Sequence, residues 1–118
     1  QVYVTAKEYE LAIETYETLA KQTADGQADQ QIAELHLQLG NYQHTVESAK
    51  RAEHKDGLKN PGNLYLALGM ASFNLKQFDQ ALEAFNKAKS IKSSKKMAIQ
   101  WLKFVEDEIK IAAQLAAS

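Results

Sequence analysis

Three groups of residues in this 118-residue chain are of types that do chemistry: the histidines, a cluster of acids and a run of lysines. His36, His44 and His54 would serve a metal only as part of a set of three or four converging ligands. His44 has Glu47 one helical turn away, but His54 lies ten positions further on, so the spacing predicts no metal site. His36 reads instead as an imidazole filling the edge of a core. Glu106, Asp107 and Glu108 carry acid–base chemistry only if a pocket pulls their pKa values apart; consecutive on a helix, they read as a solvated face. Lys87, Lys89, Lys92, Lys95 and Lys96 fall within ten residues, with no aromatic between them to stack a base. They read as a solvated turn, or else as a docking site for an acidic partner or a phosphate that salt would weaken. The chain holds no phosphate-cradling glycine loop, no HExxH and no nucleophile elbow. The expectation is no enzyme, no cofactor and no metal.

Charged residues make up 25% and apolar residues 45%, proportions that support a packed core rather than a disordered chain. A net charge of −1 supplies no global field for nucleic acid or an anionic membrane. No cysteine is present, so disulfide and thiol chemistry are excluded, and that absence suits cytoplasm and periplasm equally. No apolar run is long enough for membrane insertion, and no targeting signal is visible. The chain opens on Gln1 inside a helical pattern, which reads as a fragment of a longer protein.

The residues above must be positioned by helices. Glycine or proline at 26, 40, 57 and 61–62 separates apolar-periodic stretches, and only Gly69 falls inside one. The pattern predicts helices over 7–22, 28–39, 42–56, 63–75, 78–91 and 94–116. Val2, Tyr3 and Val4 read as the end of a truncated helix. The stretch 78–91 has a one-sided apolar stripe, while 63–75 is apolar nearly all round and must be covered on more than one side.

The second helices repeat one another. Tyr9, Ala12, Tyr16 and Leu19 match Tyr42, Thr45, Ala49 and Ala52, which match Phe78, Ala81, Phe85 and Ala88, at offsets of 33 and 36 residues. Periods of that size belong to stacked helical hairpins. Residues 62–95 resemble the tetratricopeptide repeat, whose pattern is W-x2-L-G-x2-Y…A-x3-F…P. Tyr65 takes the tryptophan position, Leu68-Gly69 the L-G pair, and Phe78, Ala81, Phe85 and Ala88 complete the signature. Ser72 and Ser93 depart from the pattern's tyrosine and proline. The copy at 26–61 is weaker, with Ile32-Ala33 for L-G and His36 for the tyrosine.

The resemblance implies an all-α fold, a right-handed superhelix of antiparallel helical hairpins. It divides one domain into a partial repeat (1–25), two repeats (26–61 and 62–93) and a C-terminal capping helix (94–118). It also implies a non-catalytic scaffold that takes a peptide or partner protein in a concave groove. The alternatives are self-association into a homodimer or larger homo-oligomer, with Tyr9, Ile13 and Tyr16 unpartnered, or an accessory domain of a bacterial envelope or transport system. On the first repeat's inner helix the groove positions are Gln27, Gln30, Gln31, Glu34, Leu37 and Gln38. On the next they are Asn63, Leu66, Met70, Phe73 and Asn74.

Family members that clamp a C-terminal carboxylate use basic and amide side chains at positions that fall here on Gln30, Glu34, Ala67, Met97 and Trp101. None of these is basic, so no carboxylate clamp is expected. The last helix carries Met97, Trp101, Leu102, Val105, Ile109 and Ala112 on one broad side, which reads as a packing face or as a dimerisation or partner-docking helix with Trp101 and Phe104 as anchors. Ser93 or Ser94 is the expected N-cap that offsets Lys95 and Lys96 against the helix dipole.

Overall fold

The computed structural model describes the backbone of residues 2–118 and the side chains of residues 5–118. Six helices follow in order: α1 Val2–Gln22, α2 Gln27–Leu39, α3 Tyr42–His54, α4 Pro61–Asn74, α5 Phe78–Lys89 and α6 Lys95–Ala117. No strand occurs among the described residues. The chain is all-α, and the expected boundaries hold to within two or three residues except at α1, which begins five residues earlier. Val2–Gln22 is one continuous helix, so residues 3–6 are its first turns and not the remnant of a preceding one. The side chains of Val2, Tyr3 and Val4 lie outside the described residues.

The chain divides into two compact units, residues 1–60 and 61–118. In the first, α2 packs against both α1 and α3. Ala20, Ala28 and Ile32 form a small core, and Ile13 and Tyr16 pack against it. These two side chains of α1 therefore have partners, contrary to the expectation of an open face; among the described residues of α1 the large apolar side chains left exposed are Leu11 and Leu19. The turn from α2 to α3 closes at Gly40, whose φ of 77° is the left-handed conformation. There Asn41 N–H reaches the carbonyl of His36 (2.9 Å) and Gly40 N–H that of Leu37 (3.1 Å). This pair of bonds satisfies carbonyls that the helix end leaves without helical partners.

In the second unit α5 packs against α4 and α6. Leu66, Ala81, Phe85, Ala88, Ala98, Leu102 and Val105 form its core. Gly69 is where α4 and α5 meet. A Cβ added there would lie 2.5 Å from the Phe85 ring, closer than real contacts allow. The glycine thus makes room for one aromatic ring, rather than simply letting two backbones approach. The contact repays the helix-propensity cost of about 1 kcal/mol for glycine. Beyond the glycine, Phe85 stacks on Trp101 of α6 with centroids 5.4 Å apart and planes 11° from parallel. Ser94 occupies the N-cap position of α6 but makes no capping bond. Its buried hydroxyl donates back to the carbonyl of Ala88 at 2.7 Å, tying α5 to the start of α6.

Candidate partner-binding surfaces

In the second unit, Phe73, Asn74, Lys76, Phe78 and Glu108 line a concavity of about 270 Å3. Its floor is aromatic: Phe73 and Phe78 have centroids 6.0 Å apart, and Phe73 meets Trp101 edge-on at 5.5 Å. Lys76 and Glu108 put one charge of each sign on the wall. Asn74 stands exposed at the end of α4, its amide donating to the Met70 carbonyl at 2.8 Å. The groove positions expected on α4 therefore separate. Asn63 and Asn74 are exposed, Met70 and Phe73 are half-buried, and Leu66 at 7% exposure belongs to the core. Leu66 falls out of the candidate surface because Ala98, Leu102 and Val105 of α6 share its cluster.

In the first unit the α2 positions separate as well. Gln31 and Gln38 are exposed, while Gln27, Glu34 and Leu37 are half-buried. Gln30 is 3% exposed. Its amide nitrogen donates to Glu34 Oε2 (2.9 Å) and to the Asn60 carbonyl (3.0 Å), so it anchors the segment after α3 instead of facing a ligand. Gln27 also reaches back, to the Gly57 carbonyl at 3.4 Å.

A second concavity in this unit, about 450 Å3, is lined by Glu17, Lys21, Asp29, Arg51 and Lys55 with Ala20 and Thr23. Its charges largely answer one another. The buried Asp29 carboxylate has Lys55 Nζ at 2.7 Å and Arg51 Nε at 3.3 Å. Arg51 lies 3.8 Å from Glu17, and Lys55 also donates to the Ala20 carbonyl at 3.0 Å. This network reads as a fastening among helix ends. Sequence reasoning missed it; the available signal was an acid, Asp29, on a helix position that two cations one turn apart could reach.

His36 sits half-buried on α2, as its register predicts. Its ring lies 4.8 Å from that of His44 on α3, and its Nδ1 is 3.3 Å from the Asn41 amide. Burial, and next the neighbouring His44, lower its pKa below the ordinary 6.5. No group of three His, Cys, Asp or Glu side chains is placed to hold a metal among the described residues. All five lysines of the run are exposed, and Lys87 also lies over the Tyr65 ring at 5.3 Å.

Antiparallel hairpins, each closed by a short turn and packed through small residues, define a helical-repeat protein. Residues 62–95, which span α4, its turn, α5 and the entry to α6, match the model of the tetratricopeptide repeat, and the chain carries a repeat of that family. Such repeats act generally as non-catalytic protein–protein interaction modules. Comparison with curated proteins gave no match. No helix among the described residues is long and apolar enough to cross a membrane.

Proposed function

We propose that the chain is a non-catalytic scaffold that holds a peptide or a segment of a partner protein against α4, with the concavity of the second unit as the contact point. The observation that carries this reading is the aromatic floor of Phe73 and Phe78 beneath Asn74, Lys76 and Glu108. An apolar side chain of the peptide fits the floor, Asn74 offers an amide to its backbone, and the two opposite charges set its orientation. Met70, unbranched and half-buried beside the floor, adapts to side chains of different shape. Gln31, Gln38 and Leu37 present a more polar face on α2.

Peptides selected from a display library, titrated into isotope-labelled chain, test the proposal. The expected result is amide shifts clustered on residues 70–78 and about a tenfold loss of affinity in Asn74→Arg. Binding should survive amidation of the peptide's C-terminus, because no basic clamp stands at the positions that would hold its carboxylate. Shifts confined to the outer face of α5, or binding that requires a free carboxylate, would overturn it.

A further inference from the structure

The concavity of the second unit combines ring faces with a carboxylate, the make-up of a site for a flat cation. Phe73 and Phe78 are half-buried, with centroids 6.0 Å apart and planes inclined at 51°. Trp101, itself stacked on Phe85, meets Phe73 edge-on at 5.5 Å, so the floor is braced from the core and held in a fixed place. Glu108 stands exposed on the wall. Among the described residues its carboxylate forms no ion pair, with Lys76 or with any other side chain. The space, about 270 Å3, suits one long side chain.

The charges around the concavity select that side chain. The segments that supply the lining, 73–79 and 104–110, hold Asp79, Glu106, Asp107 and Glu108 against Lys76 and Lys110. Phe73 and Asn74 belong to the last turn of α4, the electronegative end of that helix, where no basic residue sits. Asp79, in the first turn of α5, offsets the opposite pole of the next helix. An anionic side chain is repelled here. A wholly apolar one strips water from Glu108 without replacing its hydrogen bonds. Lysine satisfies the carboxylate, but as a compact and strongly hydrated point charge. Arginine meets both demands. Its apolar stem covers the rings, its planar guanidinium lies over an aromatic face within about 6 Å of the centroid, and its fork donates two parallel N–H bonds to a carboxylate. The same hairpin already holds one cation over a ring, Lys87 over Tyr65 at 5.3 Å.

We infer, resting on the scaffold reading above, that the concavity takes an arginine side chain of the partner. The stem lies on Phe73 and Phe78, and the guanidinium reaches the Glu108 carboxylate. Lys76, also on the wall, repels the guanidinium and turns it toward Glu108. The apolar surface that the floor accepts is thus the stem of a charged residue, and the partner is a basic segment.

Titration of the isotope-labelled chain with N-butylguanidinium, and with its neutral planar counterpart N-butylurea, tests the inference without a selected peptide. The expected result is amide shifts at residues 73–78 and 108 that saturate with the guanidinium and stay small with the urea. Glu108→Gln, at an exposed position, should weaken guanidinium binding about fivefold. Lys76→Asn, which keeps a residue type that tolerates the left-handed turn, should strengthen it about twofold. In peptides selected as above, replacing arginine by citrulline should weaken binding about tenfold. Equal shifts from the guanidinium and the urea, or guanidinium binding indifferent to Glu108→Gln, would overturn the inference. Peptides that bind residues 70–78 as tightly with citrulline as with arginine would also overturn it, and would leave the scaffold reading intact. Guanidinium binding at the concavity with no peptide bound anywhere would uphold the cation site and overturn the scaffold reading instead.

Discussion

The hairpins α2–α3 and α4–α5 place equivalent positions 36 residues apart, and the same places carry different chemistry. Both turns close with the same two hydrogen bonds: Asn41 to His36 and Gly40 to Leu37 in one, Gln77 to Ser72 (2.9 Å) and Lys76 to Phe73 (3.0 Å) in the other. The left-handed residue is Gly40 in the first and Lys76, at φ 60°, in the second. Where Asp29 meets Arg51 at 3.3 Å, Tyr65 meets Lys87 at 5.3 Å as a cation over a ring. Where the rings of His36 and His44 lie together, Gln80 donates to the Ser72 hydroxyl at 2.8 Å. Where Ala33 and Ala49 are both fully buried, Gly69 and Phe85 take one small and one large share of the space. Backbone geometry at the turn is preserved by its hydrogen bonds, while each side-chain contact needs only some attractive pair of matching volume. A ring and a glycine do what two alanines do, and the ring also reaches α6.

Gly69→Leu should break the comparison most severely. The added branch collides with a ring already stacked on Trp101, and a loss of about 1–3 kcal/mol is expected in a urea titration followed by Trp101 fluorescence. An unchanged midpoint would show that the ring has room to move. Asp29→Asn comes next, at about 1–2 kcal/mol. Truncating one partner of a buried ion pair costs more than that in a dry site, but Arg51 is half exposed here and solvent screens the remaining charges. Circular dichroism melts of the variant against the parent measure the difference.

Lys76→Gly sharpens the comparison by giving the second turn the residue of the first. Relief of the left-handed strain should raise stability by about 0.5–1 kcal/mol in the same melts, whereas Gly40→Lys should lower it by a similar amount. Equal melting of both variants and parent would mean that the turns do not limit stability.

The smallest effect is one of pH. His36 has a folded-state pKa below 6.5, so between that value and 6.5 the unfolded chain binds more protons than the folded one. Its contribution is complete above pH 6.5 and is lost as pH falls through that window. Denaturant midpoints measured at about pH 5 and about pH 7.5 should therefore differ in the parent and differ less in His36→Ser, which installs the residue of the second hairpin. An identical pH difference in both would remove His36 as its source.

Much of this was legible in the residues, for physical reasons that differ from place to place. The helices were readable because glycine and proline punctuate strong apolar periodicity, and the hairpin pairing because small and aromatic residues recur in register. The partners of individual side chains were not. Leu66 and Met70 share the groove side of α4 by periodicity alone, and only the packing of α6 sends one into the core and leaves the other half-exposed. Gln30 looked like a solvent-facing amide until the backbone after α3 came within reach of it. Ser94 had the right type and position for a cap, yet its hydroxyl is turned to donate to the Ala88 carbonyl on α5 and accepts from no N–H of α6. Lys76 adopts a conformation that its residue type disfavours, which the turn's hydrogen bonds impose.

Lys55 brings three helices to one nitrogen. Its ammonium, just after α3, holds the carboxylate of Asp29 in the first turn of α2 and the carbonyl of Ala20 in the last turn of α1. Helix α1 packs on α2, and this one contact couples the fraying of its end to the opening of the other two helices. The first unit should therefore exchange its amide hydrogens as a single cooperative block, α1's last turn included, and Lys55→Met should release that turn alone to exchange early.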